Sequence, residues 1–324
     1  MKKEKLTVYG IIVVIAIAIV SFSVFRNTDN DNPTVAIFNL LSHPILDNSI
    51  KGIEEGLSES GYSKENLNLI KINANGEMDK LNAFAKELLS SKPDVIIPVS
   101  TPVTQAVFKE SQKSQKIIFS TVTNPSDVGM DNKPSNMTGV CDRVNYKANF
   151  DLILQLFPKT KTVGIIYNAG ERNSEYGVEQ IKPLAKEKNI SLKLVSISQP
   201  DEVEDAAKGL VDSVDVFYVG SDNTVVGALP ALLNVAYSKN IPVIASDSGS
   251  VEQGALAAVS VNYIELGKKV GQIVAQVLKD KSMPADLDPV MFMGNSLNIN
   301  LKSANKIDYS FSENILKDAE VIIQ

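Results

Sequence analysis

The sequence predicts an α/β protein of two Rossmann-like lobes with parallel sheets, preceded by an N-terminal transmembrane helix. Three observations predict it. From Thr34 onward, apolar and β-branched runs alternate with amphipathic helical stretches. The alternation occurs as two similar sets, Thr34–Asn124 and Thr162–Asp247, without a residue-level repeat. Ahead of both, Leu6–Phe25 contains no charged residue, and at ~1.5 Å per residue it spans roughly the 30 Å of a bilayer core.

The leading segment begins with the basic head Met1-Lys2-Lys3-Glu4-Lys5. The apolar run exits through Ser21-Phe22-Ser23-Val24-Phe25-Arg26, which offers no clean small-x-small cleavage site. No cysteine follows for lipid attachment. We therefore expect an uncleaved anchor. Lys2, Lys3 and Lys5 against Arg26 place the N-terminus in the cytoplasm and the globular part outside it. Arg26–Asn32 reads as a short polar tether before Pro33.

Thr34–Leu40 is rich in the residues of buried parallel strands. Asp47–Tyr62 follows as a helix with Ile50, Ile53 and Leu57 on one face and Gly61 as its stop. Leu67–Asn73, Asp94–Val99 and Lys116–Val122 read as strands, with helices at Asp79–Ser91 and Pro102–Ser111. The second set has strands at Thr162–Tyr167, Leu192–Ser196, Val214–Val219, Val243–Ser246 and Ala255–Val261. Its helices are Ser174–Lys188, which Pro183 should kink, Glu202–Leu210 and Leu229–Lys239. Tyr263–Lys279 is a strongly amphipathic helix on Leu266, Val270, Ile273 and Val277. Short strands at Val290–Met293 and Leu297–Leu301 and a helix at Ser312–Asp318 close the chain, and this tail is expected to cross between the lobes.

Composition excludes several functions. A net charge of -6 and a pI near 5.1 argue against nucleic acid as a partner. Cys141 is the only cysteine, so no internal disulfide forms, and it reads as a small buried apolar residue. His43 is the only histidine, and no Gly-x-Ser-x-Gly elbow, Walker loop or Gly-x-Gly-x-x-Gly motif occurs. No catalytic constellation, metal site or cofactor is expected.

The strand ends carry short polar motifs instead: Ser42-His43-Pro44, Ser100-Thr101-Pro102, Val122-Thr123-Asn124-Pro125, Val140-Cys141-Asp142, Tyr167-Asn168 through Glu171-Arg172-Asn173-Ser174, and Ser221-Asp222-Asn223. Ligands of open α/β sheets sit beyond the carboxyl ends of strands. Helix N-termini there suit a carboxylate, and Asp142, Glu171, Asp222 and Asp247 suit an ammonium. A cleft with both fits a zwitterion such as an amino acid. Phe38, Tyr167 and Tyr176 could stack on an aromatic side chain or belong to the core.

From about Thr34 to the C-terminus, the chain resembles the ABC-transporter substrate-binding proteins of the tryptophan/tyrosine-binding type. The resemblance rests on His43-Pro44-x-x-Asp47, Asn73-Ala74-Asn75-Gly76, Thr101-Pro102-Val103-Thr104-Gln105-Ala106, Val122-Thr123-Asn124-Pro125, Thr138-Gly139-Val140, Tyr167-Asn168 with Glu171-x-Asn173-Ser174, Asp222-Asn223-Thr224-Val225-Val226, Ser250-Val251-x-x-Gly254-Ala255 and Tyr263-x-x-x-Gly267. It implies a type I periplasmic-binding fold, with residues 33–144 plus about 264–289 in one lobe and 145–263 plus about 290–324 in the other. It implies ligand contacts at Ser42, His43, Thr101, Thr123, Asp142, Asn168, Glu171, Asn173, Ser174, Asp222, Asn223 and Asp247, and delivery to ABC permease subunits. Two departures stand out. Asn124 replaces the family's usual Asp, and the lipoprotein cysteine is missing, leaving Leu6–Phe25 as the anchor. A ligand-sensing ectodomain, and less so an enzyme on the same fold, are the alternatives.

Overall fold

The computed structural model describes residues 32–324. The proposed anchor Leu6–Phe25 lies outside the described residues, and no helix among those described is long and apolar enough to cross a membrane.

The first set of elements runs β1 (Thr34–Asn39), α1 (Pro44–Glu59), β2 (Asn68–Asn73), α2 (Leu81–Ser90), β3 (Val95–Val99), α3 (Thr101–Glu110), β4 (Ile117–Val122) and β5 (Met137–Arg143). After the crossing come α4 (Tyr146–Leu156), β6 (Thr162–Asn168), α5 (Arg172–Glu187), β7 (Ser191–Ile197), α6 (Val203–Leu210) and β8 (Val216–Val219). Then follow α7 (Asn223–Gly227), α8 (Leu229–Ser238), β9 (Val243–Ala245), α9 (Ser248–Gln253) and β10 (Ala257–Ser260). The tail holds α10 (Tyr263–Asp280), β11 (Val290–Met293), β12 (Ser296–Asn300), α11 (Leu301–Lys306), α12 (Glu313–Asp318) and β13 (Val321–Ile323).

Two sheets result. The first has the order β2-β1-β3-β4-β5-β11 and is parallel throughout. The second has the order β7-β6-β8-β9-β10-β12-β13, with the β10–β12 pair antiparallel. Parallel strands covered on both faces should read as continuous apolar runs, and Val95–Val99 is buried throughout. In β8, Phe217 and Val219 face one core while Val216 and Tyr218 face the other, the period-two alternation of a strand.

The chain passes between the sheets after β5, after β10 and after β11. These crossings are tied together. Gly294 N–H donates to the Arg143 carbonyl at 3.0 Å, Asn145 Nδ2 to the Gly294 carbonyl at 3.1 Å and Asn295 N–H to the Ser260 carbonyl at 3.1 Å. The segment from residue 290, expected with the second lobe, divides. Val290–Met293 pairs with β5 in the first sheet, and the chain changes sheets at Gly294–Asn295.

Helices α1 and α10 run parallel at backbone distance. Their contact is made by Gly52, Gly56, Gly267 and Gly271. Pro44 at the first turn starts α1 three residues before the expected Asp47, where a missing N–H costs nothing. Helix α5 continues through Pro183. Cys141 is buried as expected, and burial pushes its thiol up to about 12.

Candidate functional site

The carboxyl ends of both sheets face each other, and helices start there. His43 caps α1, its Nδ1 accepting from Ile45 N–H at 3.4 Å. Asp222 caps α7 and Asp247 caps α9, each accepting from a backbone N–H three residues on. His43, Asp222, Asp247 and Tyr263 line a cavity of ≈ 30 Å³ between the lobes. His43 reaches across the gap. A Cβ added at Gly249 of α9 would come within 2.9 Å of its imidazole. Burial pushes the His43 pKa down, opposed by Asp247 and Asp47. Its Nε2 has no hydrogen-bond partner among the described residues.

On the second lobe, the three acids expected to hold an ammonium are occupied by the protein, Asp247 by Ser250 N–H and Ser250 Oγ, each at 2.7 Å. Glu171 is 1 % exposed. Its Oε1 accepts from Thr224 N–H at 2.9 Å and Thr224 Oγ1 at 2.7 Å. Its Oε2 accepts from Asn223 N–H, Asn223 Nδ2 and Asn173 Nδ2. The carboxylate thus sits on the first turn of α7, satisfying N–H groups that a short helix leaves orphaned. Asp222 accepts from Val225 N–H at 2.8 Å through Oδ1, and from Asn168 N–H and Ser174 Oγ at 2.6 Å through Oδ2. Three of its roughly four acceptor positions are filled. Burial and the neighbouring Glu171 push Asp222 up to about 7.

Asp142 is different. It ends β5 beside the first crossing and is 4 % exposed. Tyr263, the first residue of α10 after the second crossing, donates its hydroxyl to Oδ2 at 3.1 Å. Oδ1 has no partner among the described residues. Burial pushes this carboxyl up to about 7, with the Tyr263 bond pulling the other way. The buried hydroxyls of Tyr146 and Tyr218 are also unpartnered. Such groups are costly to leave unpaired.

Thr101 and Thr123 are buried on the first lobe, Thr123 N–H lying 3.4 Å from Thr101 Oγ1. Ser100, between β3 and α3, has φ 97 and ψ 158, a region nearly reserved for glycine. Its buried Oγ has no partner. Such backbone strain costs about 1–3 kcal/mol. Ser100→Gly should therefore raise stability by about 1 kcal/mol while weakening ligand binding. A denaturant melt paired with calorimetry checks both, and loss of stability would refute the strain.

Of the expected residues, His43, Asp222, Asn223 and Asp247 line the cavity, while Thr101, Thr123, Asp142, Asn168, Glu171, Asn173 and Ser174 are buried and stand outside its lining. Ser42 departs. Its side chain is exposed and donates to Asp47 Oδ2 at 2.8 Å. Phe38, weighed for stacking, is in the first-lobe core edge-on to Phe84. Ser100, Tyr146, Tyr218, Ser221 and Tyr263 are additions. Tyr263 stood in a quoted motif, whereas the tyrosines of α4 and β8 carry no local signal.

Comparison with known proteins agrees with this fold. Residues 34–323 match the family model described as ABC transporter substrate binding protein. A protein named tyrosine-binding protein from Clostridioides difficile is 33 % identical over 310 residues, covering 91 % of this chain and 90 % of that protein. A solved Streptococcus pneumonia structure, an ABC domain in complex with L-Trp, superposes with TM-score 0.86 at 29 % identity over 90 % of this chain and 100 % of that one. The ligand-free, open structure of a Clostridium difficile substrate binding protein with adhesive properties gives TM-score 0.67 at 29 % identity, over 90 % of this chain and 99 % of that one. Such proteins capture a substrate for a transporter and are not enzymes. The chain belongs to the ABC transporter substrate-binding protein family.

Proposed function

We propose that this protein captures a zwitterionic, aromatic amino acid between its lobes and presents it to an ABC permease outside the cytoplasm. The observation that carries the ligand class is Asp142, a buried carboxylate at the crossings with one oxygen unpartnered. An ammonium group is the complement of that oxygen. The strained Ser100 and the start of α3 offer N–H and hydroxyl donors for the ligand carboxylate. The named ligands of the relatives, tyrosine and tryptophan, support the aromatic side chain.

The lobes are residues 33–143 with the α10–β11 segment, and residues 144–260 with the tail from β12. They close by bending at the three crossings. The cavity lies between the lobes, walled by His43 on one and by Asp222 and Asp247 on the other, so the ligand enters while the lobes are apart. At equal sequence identity, the whole-chain shape matches the tryptophan complex better than the open relative, which supports reading this arrangement as closed. Leu6–Phe25 is retained as a single-pass anchor.

Calorimetry on the membrane-extracted full chain tests the reading. Its intact mass should include residues 6–25. L-Tyrosine or L-tryptophan should bind with one site per chain, with L-aspartate and L-lysine much weaker. Failure of both aromatic amino acids would remove the ligand class, and a mass beginning after Arg26 would remove the anchor.

A further inference from the structure

Two contacts join the lobes at the rim of the cleft. Thr123 Oγ1, following β4, and Ser221 Oγ, following β8, lie 2.9 Å apart. Farther out, Arg172 Nη2 lies 3.6 Å from Asp127 Oδ1. Asp127 belongs to the 3-10 turn Pro125–Val128 on the first lobe. Gln105 Nε2 of α3 holds that turn by donating to the Asp127 carbonyl at 2.8 Å. The Asp127 side chain is 6 % exposed, and its Oδ2 has no partner among the described residues. Burial pushes this carboxyl up, and Arg172 is the main charge pulling it back.

Arg172 is the first residue of α5 on the second lobe. A cation there opposes the helix dipole. Glu175 in the same turn accepts from Arg172 Nη1 at 2.5 Å and offsets part of that cost. The same turn carries Asn173 and Ser174 into the cleft wall. Arg172 is therefore poorly placed for its own helix and well placed for Asp127 of the opposite lobe.

We propose that Arg172 and Asp127 form a latch across the closed lobes, outside the Thr123–Ser221 contact, so that an ion pair beyond the ligand cavity sets how long the ligand is held. The proposal rests on the solute-capture reading. Its logic is asymmetric. Arg172 is half exposed, so the ion pair itself adds little. When the lobes close without Arg172, however, the Asp127 carboxylate is taken out of water with no cation facing it, and a buried uncompensated charge is the expensive case. Removing the cation should harm closure more than removing both charges.

The test uses the full chain and two readouts. Thr123→Cys combined with Ser221→Cys, with diamide added as the two-electron oxidant, reports closure without any ligand, because the disulfide forms only while the two positions meet. In that background Arg172→Ala should slow cross-linking about tenfold, and adding Asp127→Asn should recover most of it. With L-tyrosine and L-tryptophan as probes, Arg172→Ala should raise koff by a similar factor and leave kon nearly unchanged. An unchanged cross-linking rate in Arg172→Ala overturns the latch, as does a double variant slower than Arg172→Ala alone. Slowed cross-linking in a protein that binds neither amino acid would leave the latch standing and remove the ligand assignment instead.

Discussion

Gly267→Leu should leave the first lobe unable to fold. A Cβ at position 267 would overlap the Ser49 carbonyl oxygen and approach Ile53 N at 2.9 Å. At Gly52 it would overlap the Ile264 carbonyl, at Gly56 that of Lys268 and at Gly271 that of Ile53. These obstacles are backbone atoms of the facing helix, so no rotamer change relieves them. The helices would have to part, opening the interface that buries Ile53, Leu57, Leu266, Val270 and Val274. Overpacking alone costs 1–3 kcal/mol, and separating the helices adds cavity costs. A loss of at least about 4 kcal/mol is expected, a large part of ordinary domain stability. Circular dichroism melts of Gly267→Ala and Gly267→Leu should show graded destabilisation ending in loss of the transition. A Gly267→Leu melt within a few degrees of the parent would show that the contact is slack. The consequence extends to the cleft, because His43 caps α1 and Tyr263 begins α10.

These helices also show what the sequence makes legible. Their apolar stripes identify them, and Gly52-x-x-x-Gly56 and Gly267-x-x-x-Gly271 stand in plain view. That the two glycine pairs face each other is a property of chain return from the second lobe, which no local pattern carries. Strand β5 is read only at its end, Val140-Cys141-Asp142, and its full extent escapes for a related reason. Its Gly139 lowers strand propensity, yet a Cβ there would come within 2.5 Å of the Phe119 ring, so glycine is what lets β5 lie against β4. Helices α9 and α11, of six residues each, are too short to show a helical period.

The site was legible in type and less so in role. Strand-end acids stood out in the sequence, and four of them are buried around the cleft. Sequence spacing could not show that Glu171 would be consumed by the N–H groups of α7, fifty-odd residues later. Nor could it show that Asp142 would meet only Tyr263 on one oxygen and nothing on the other. A role depends on which donors the fold brings near, and those donors come from distant elements.

Asp142→Asn should separate the two effects of that carboxyl. Asparagine can still accept from Tyr263, so the local packing survives. An ammonium ligand would lose its buried counter-charge, and affinity should fall about 100-fold or more. Stability should move in the opposite sense. The folded state holds the Asp142 proton up to about 7, against 3.8 for an ordinary aspartate. Between those values the folded state binds more protons than the unfolded one, so stability falls as pH rises from about 4 to 7. Asp222, also pushed up to about 7, adds to the slope. Asp142→Asn should flatten that slope and be more stable than the parent at pH 8. Ligand binding adds a third sign. An ammonium beside Asp142 favours the charged form, so binding at pH 6 should release close to one proton and binding at pH 8 almost none. Affinity should therefore rise with pH across this window. Calorimetry in two buffers of different ionisation enthalpy measures the release directly. If Asp142→Asn still releases the proton, the titrating partner is Asp222, and the ammonium belongs on the second lobe. If the parent releases none at pH 6, no ammonium meets a protonated carboxyl, and the zwitterion assignment fails.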